Sequence, residues 1–196
     1  MRSKLPNIIT SFRVLSSFFI TLYYFLKLPF YNEVVFFIFV LSSISDFFDG
    51  YLSRKWNVVS KFGQCLDPIS DKLLTITALI ILVDAKGINL IFSFLIIARE
   101  IVISGLREFL SLQSITLPVS KLSKWKTGFQ LTGLSMCFFA QSKHFPVLTE
   151  KYITFFPPFK FFVQNIQIIS FYVTLVAVIL TVYTAAQYIS KSIHHL

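Results

Sequence analysis

The chain has 196 residues, with 18 Lys and Arg against 9 Asp and Glu, yet only 14% of it is charged and 55% is hydrophobic. Soluble domains hold about 25% charged residues, and a mean hydropathy of +0.73 leaves no room for a soluble catalytic domain, so an integral membrane protein is expected. The net charge of +9 sits at the ends of apolar segments rather than in blocks, which argues against a nucleic-acid partner and for control of membrane topology.

Six apolar segments follow one another, at residues 8–26, 33–53, 67–83, 88–110, 125–140 and 168–189. A helix needs about 20 apolar residues to cross ~30 Å of hydrocarbon. The pattern therefore predicts a single domain, residues 1–196, that is all-α with six transmembrane helices. Arg2 and Lys4 ahead of the first run look like the start of a signal peptide. No small-residue cleavage site follows, and the run continues past Arg13, so an uncleaved first helix is expected. Pro29 and Asn32 punctuate the first gap, Gly87 the third, Pro118 the fourth, and Pro146, Pro157 and Pro158 the fifth. The stretch 143–167, rich in Phe, reads as a loop lying along the membrane interface.

Under this count Arg2, Lys4, Arg54, Lys55, Lys61, Lys121, Lys124, Lys126 and Lys191 share one side, and Lys27, Lys86, Lys143, Lys151 and Lys160 the other. The basic excess marks the first side as cytoplasmic, with both termini there, in a plasma (inner) membrane. Cys65 and Cys137 fit no metal or redox spacing, and His144, His194 and His195 lack partners for a metal.

Against this apolar background Asp46, Asp49, Asp67 and Asp71 stand out. An acid at the bilayer centre costs about 2.5–3.5 kcal/mol on insertion scales, so four approach roughly 10–14 kcal/mol before compensation. Spacings of three and four residues put each pair on one helix face. Residues 54–63 form a short polar turn, which makes the second and third helices antiparallel neighbours and brings the four acids together. Asp46 lies eight residues before Arg54, roughly 12 Å at 1.5 Å per residue, so the site is shallow enough for water-soluble substrates. Four anions so close require cations, and oxygen ligands select hard divalent ions, Mg²⁺ foremost.

Together with Gly50, Arg54 and Gly63, these acids resemble the signature of the CDP-alcohol phosphotransferase family, D-x2-D-G-x2-A-R-x8-G-x3-D-x3-D. One position departs: Ser53 stands where the family has alanine, a small residue that preserves space. Seven fixed residues at about 5% usage each coincide by chance roughly once in 10⁹ starting positions. The resemblance implies a six-helix enzyme, usually a homodimer, that moves a phosphoryl-alcohol unit from a CDP-linked donor to a second alcohol and releases CMP. It implies that Asp46, Asp49, Asp67 and Asp71 hold two Mg²⁺ or Mn²⁺ ions and that Asp71 is the general base. It implies further that Asp49, Gly50, Ser53, Arg54, Gly63 and Asp67 bind the donor, Arg54 through its phosphates.

The acceptor must be read from the remaining polar residues. Asn7, Thr10 and Arg13 recur on one face of the first helix, and Arg13 inside an apolar run calls for an anionic partner or the interface. Arg99, Glu100, Arg107 and Glu108 punctuate the fourth segment. An internal salt-bridge network fits Arg99 and Glu100, while Arg107 lies near the cytoplasmic end and suits a phosphate. Lys124, Lys126 and Thr127 open the fifth segment, where basic side chains and unpaired backbone N–H groups favour an anion. The stretches LPNIITSFR, ARE, LREFL and SKWKTGFQ resemble the branch of the family that forms phosphatidylglycerophosphate. That branch implies CDP-diacylglycerol as donor and glycerol 3-phosphate as acceptor, bound by Asn7, Thr10, Arg13, Arg107, Lys124 and Lys126. Other branches, making cardiolipin, phosphatidylserine or phosphatidylinositol phosphate, share the core signature. A divalent-cation channel or transporter is the reading of another class, opposed by the bare outer ends VVFFIFV and ITALIILV.

Overall fold

The computed structural model describes the backbone of residues 5–56, 61–113, 115, 120–142, 144–145 and 157–193, with side chains over 11–45, 66, 68–113, 115, 120–142, 144–145 and 160–192. No strand occurs among these described residues, and the helices with described bounds are α1 Leu5–Phe25, α2 Tyr31–Trp56, α3 Lys61–Asp84, α4 Leu90–Leu112, α5 Lys121–Gln141, α6 Pro157–Gln164 and α7 Ile166–Ile193. The six long ones match the six apolar segments. The largest difference is at α3, which begins at Lys61 rather than residue 67. Hydropathy locates the apolar part of a helix, whereas the backbone hydrogen-bond ladder continues through polar residues.

Local chemistry sets several ends. Asn89 caps α4, its Oδ1 accepting from Ile91 N at 2.8 Å, and Ser120 caps α5, its Oγ accepting from Ser123 N at 3.1 Å. The interface loop expected over 143–167 is corrected in part, because α6 occupies Pro157–Gln164. Two prolines open that helix, where a missing N–H removes no intrahelical bond and a fixed φ favours the helix.

The long helices close a ring: α1 lies against α2 and α3, α2 against α5, α5 against α7, α7 against α4, and α4 against α3. α2 and α3 also touch each other, and the acidic ends expected to bring them together carry side chains outside the described residues. Among the described residues each packs mainly on α1. The reason is the stripe Arg13, Ser16, Ser17, Ile20 and Tyr24, all buried at helical spacing, whose serines let the neighbouring helices approach closely.

The main apolar cluster fills one half of the ring. Its core joins Ile20, Tyr24, Val35, Phe39, Leu74, Leu79, Leu82, Ile96, Leu134, Phe138 and Val178. These residues come from the C-terminal halves of α1, α3 and α5 and the N-terminal halves of α2, α4 and α7, as an up-and-down bundle requires. The outer faces carry large apolar side chains such as Leu15 at 67% exposure, Phe94 at 66% and Ile179 at 58%, an arrangement suited to lipid rather than water. Among the described residues one helix, Ile166–Ser192, is long and apolar enough by length and composition to cross a membrane. α4 and α5 are comparably long but carry Arg99, Glu100, Arg107, Lys124 and Lys126.

Candidate active site

The other half of the ring encloses a cavity of 680 Å³. α2 contributes Ser43; α3 contributes Asp71, Lys72 and Thr75; α4 contributes Arg99, Glu100 and Arg107; α5 contributes Ser123, Lys124, Lys126, Thr127, Gly128, Gln130 and Leu131. Helical spacing explains the grouping. Asp71 and Thr75 are one turn apart, as are Ser123, Lys126 or Thr127, and Gln130, so each helix turns one polar face inward.

Asp71 lies in the wall with its side chain 51% exposed, and Arg13, 1% exposed, donates from Nη1 to Asp71 Oδ1. Asp71 is therefore an anionic partner of Arg13 among the described residues. The pair is charge-assisted and holds the carboxylate against α1. Ser17 Oγ donates to Arg13 O at 3.0 Å one turn further along.

Glu100 organises the opposite wall. Lys126 Nζ donates to its Oε1, and Arg99 Nη1 lies 3.5 Å from its Oε2. The internal network anticipated for Arg99 and Glu100 is present, with Lys126 as a third member. Arg107 turns instead to α7, where Nη2 donates to Tyr188 Oη at 2.7 Å and the guanidinium stands 4.8 Å from the ring centroid. Five basic side chains and two carboxylates thus line one cavity. Among the described residues Lys72, Arg107 and Lys124 pair with no carboxylate. This excess favours a multiply charged anion.

Of the residues singled out from the sequence, Asp71, Arg107, Lys124 and Lys126 meet at this cavity, and Arg13 stands behind Asp71. The side chains of Asn7, Thr10, Asp46, Asp49, Gly50, Ser53, Arg54, Gly63 and Asp67 lie outside the described residues. Their backbone falls on α1, α2 and α3. Among the described residues no group of three or more His, Cys, Asp or Glu side chains converges as a metal site. Asp71 is the one member of the acidic quartet whose side chain is described. Its carboxylate is half exposed and carries the Arg13 guanidinium on Oδ1.

Lys72, Arg99, Gln130 and Tyr188 were missed as site residues. Gln130 is 4% exposed, lines the cavity, and its Oε1 has no hydrogen-bond partner. It ends the stretch SKWKTGFQ, so a signal existed. Tyr188 had none, being 81 residues from Arg107 in the chain.

The family model for CDP-alcohol phosphatidyltransferases matches residues 3–190. The chain belongs to the CDP-alcohol phosphatidyltransferase family. It is similar to the CDP-diacylglycerol–glycerol-3-phosphate 3-phosphatidyltransferase of Rickettsia bellii, 45% identical over 133 residues that cover 68% of this chain and 74% of that protein. The proteins of the same description from Cereibacter sphaeroides, 39% identical over 70% of this chain and 64% of the relative, and Haemophilus influenzae, 35% identical over 68% and 75%, are also similar. As a CDP-alcohol phosphatidyltransferase the chain is a transferase of phospholipid synthesis, and the cavity between α3, α4 and α5 is its candidate active site.

Proposed function

We propose that the protein transfers the phosphatidyl group of CDP-diacylglycerol to glycerol 3-phosphate, giving phosphatidylglycerophosphate and CMP. The observation that carries this reading is the cavity itself, where Asp71 faces a wall of bases with room for a phosphorylated alcohol. Arg107 and Lys124 bind the acceptor phosphate, and Lys126 supports them through Glu100. Asp71, steadied by Arg13, accepts the proton of the attacking hydroxyl. The hydroxyl oxygen bonds to the phosphorus that carries diacylglycerol, the bond from that phosphorus to the CMP oxygen breaks, and CMP leaves. Removal of the proton as the new bond forms is typically worth about 10²–10⁴ in rate.

Asp46, Asp49, Asp67 and Asp71 would hold two Mg²⁺ or Mn²⁺ ions, which when bound supply charge neutralisation for the donor pyrophosphate. Asp49, Gly50, Ser53, Arg54, Gly63 and Asp67 would bind the donor, with Asn7 and Thr10 beside the acceptor. Six membrane spans, an inner-membrane location with the cavity open to the cytoplasm, and a homodimer complete the proposal. The apolar outer faces and the basic side chains near the cavity end support the spans and their orientation. The packed apolar half supports an enzyme over a cation path, which needs polar groups across the full thickness.

The deciding experiment supplies purified protein with Mg²⁺ or Mn²⁺, CDP-diacylglycerol and labelled glycerol 3-phosphate. CMP and a phosphorylated lipid are expected in equal amounts. Turnover with serine or inositol phosphate but not glycerol 3-phosphate would replace the acceptor, and no turnover would overturn the reading.

A further inference from the structure

Arg107 has a long side chain whose guanidinium must be aimed to meet a phosphate edge-on. In this structure the aim comes from α7, a helix that supplies none of the cavity's described lining residues. Tyr188 is 4% exposed. Its hydroxyl accepts from Arg107 Nη2 at 2.7 Å and from Ser120 N at 3.2 Å, and Ser123 Oγ lies 3.4 Å away. Its ring also carries the guanidinium at 4.8 Å. One phenol thus ties together the C-terminal part of α4, the capping residue of α5 and the C-terminal part of α7. α5 is the helix whose first turn and next residues present Lys124 and Lys126.

We propose that Tyr188 is a positioning residue for the acceptor phosphate. It holds the Arg107 guanidinium in a fixed orientation and locks the start of α5 at a fixed distance from it, so that Arg107 and Lys124 form one pre-set anion site. This rests on the reading of Arg107 as an acceptor ligand. Tyr188 itself touches no reacting atom. Without the hydroxyl, Arg107 keeps its ring contact but regains rotamer freedom that binding must then remove.

The test is Tyr188→Phe in the purified enzyme, assayed with CDP-diacylglycerol and glycerol 3-phosphate varied separately. Loss of a hydrogen bond to a charged group should raise the acceptor KM by about tenfold, with the donor KM within about twofold. In an Arg107→Ala background the same change should add almost nothing, because its effect passes through Arg107. Thr184→Val, one turn away on α7 and fully buried, is the control for helix packing and should lower thermal stability without the KM split. An unchanged acceptor KM in Tyr188→Phe, a full additive effect in the Arg107→Ala background, or the same KM split in Thr184→Val would each overturn the proposal. Wild-type protein inactive on glycerol 3-phosphate would instead remove the underlying functional reading and this inference with it. Active wild type with an unaltered Tyr188→Phe defeats this inference alone.

Discussion

The two halves of the same helical ring are built from opposite materials. In one, Leu79, Leu82, Phe39 and Leu134 fill the space between helices with no charged partner. In the other, Arg13, Lys126, Glu100 and Asp71 occupy equivalent inward positions and leave a cavity of 680 Å³. α2, α3, α4 and α5 each contribute to both sides of this contrast, so none of these four is purely structural or purely functional. The apolar half holds by close fit between side chains. The charged half holds by paired groups that would be costly if separated. Rigidity in the first allows polarity in the second.

The contrast breaks most sharply at Asp71. Asp71→Asn should reduce turnover by about 10²–10⁴ while leaving donor binding largely intact, measured as CMP release alongside CDP-diacylglycerol binding. Near wild-type turnover would take the base role away from Asp71. Glu100→Gln should come next, because it leaves Lys126, 3% exposed, as a buried charge without its carboxylate. A loss on the order of 3 kcal/mol is expected, read as a lower midpoint of thermal or denaturant unfolding in detergent. An unchanged midpoint would mean that Lys126 finds water or another partner.

Arg107→Ala and Lys124→Ala should raise the acceptor KM about ten- to a hundredfold with less effect on the donor. Equal losses for both substrates would move these bases away from the acceptor. The smallest effect belongs to the apolar half. A Cβ at Gly133 would stand 2.9 Å from Thr174 Oγ1 and 3.3 Å from Thr174 N, across the α5–α7 contact. Gly133→Ala should therefore destabilise by about 1–2 kcal/mol through overpacking, with both KM values unchanged. A shifted acceptor KM would show that the two halves are mechanically coupled.

Much of the site was legible because its chemistry clashes with its surroundings. Asp71 and Arg107 are conspicuous in apolar runs, and Lys124 and Lys126 form a local cluster beside them. The helices were legible for the same reason, apart from α6, whose aromatic and proline content suggested an irregular loop. Pairing was less readable. The sequence called for an anion near Arg13 without naming Asp71, 58 residues away, and it grouped Lys126 with the ligands although its nearest partner is Glu100.

The sequence by itself determined the helical character, the apolar faces, the acidic signature and with it the family, because these depend on residue type and spacing along one helix. The tertiary structure alone decided that α1 lies against both α2 and α3, that Glu100 takes Lys126, and that Tyr188 reaches Arg107. Those outcomes depend on which helix faces meet across the ring, and helical periodicity marks a face as polar without saying which other face it will touch.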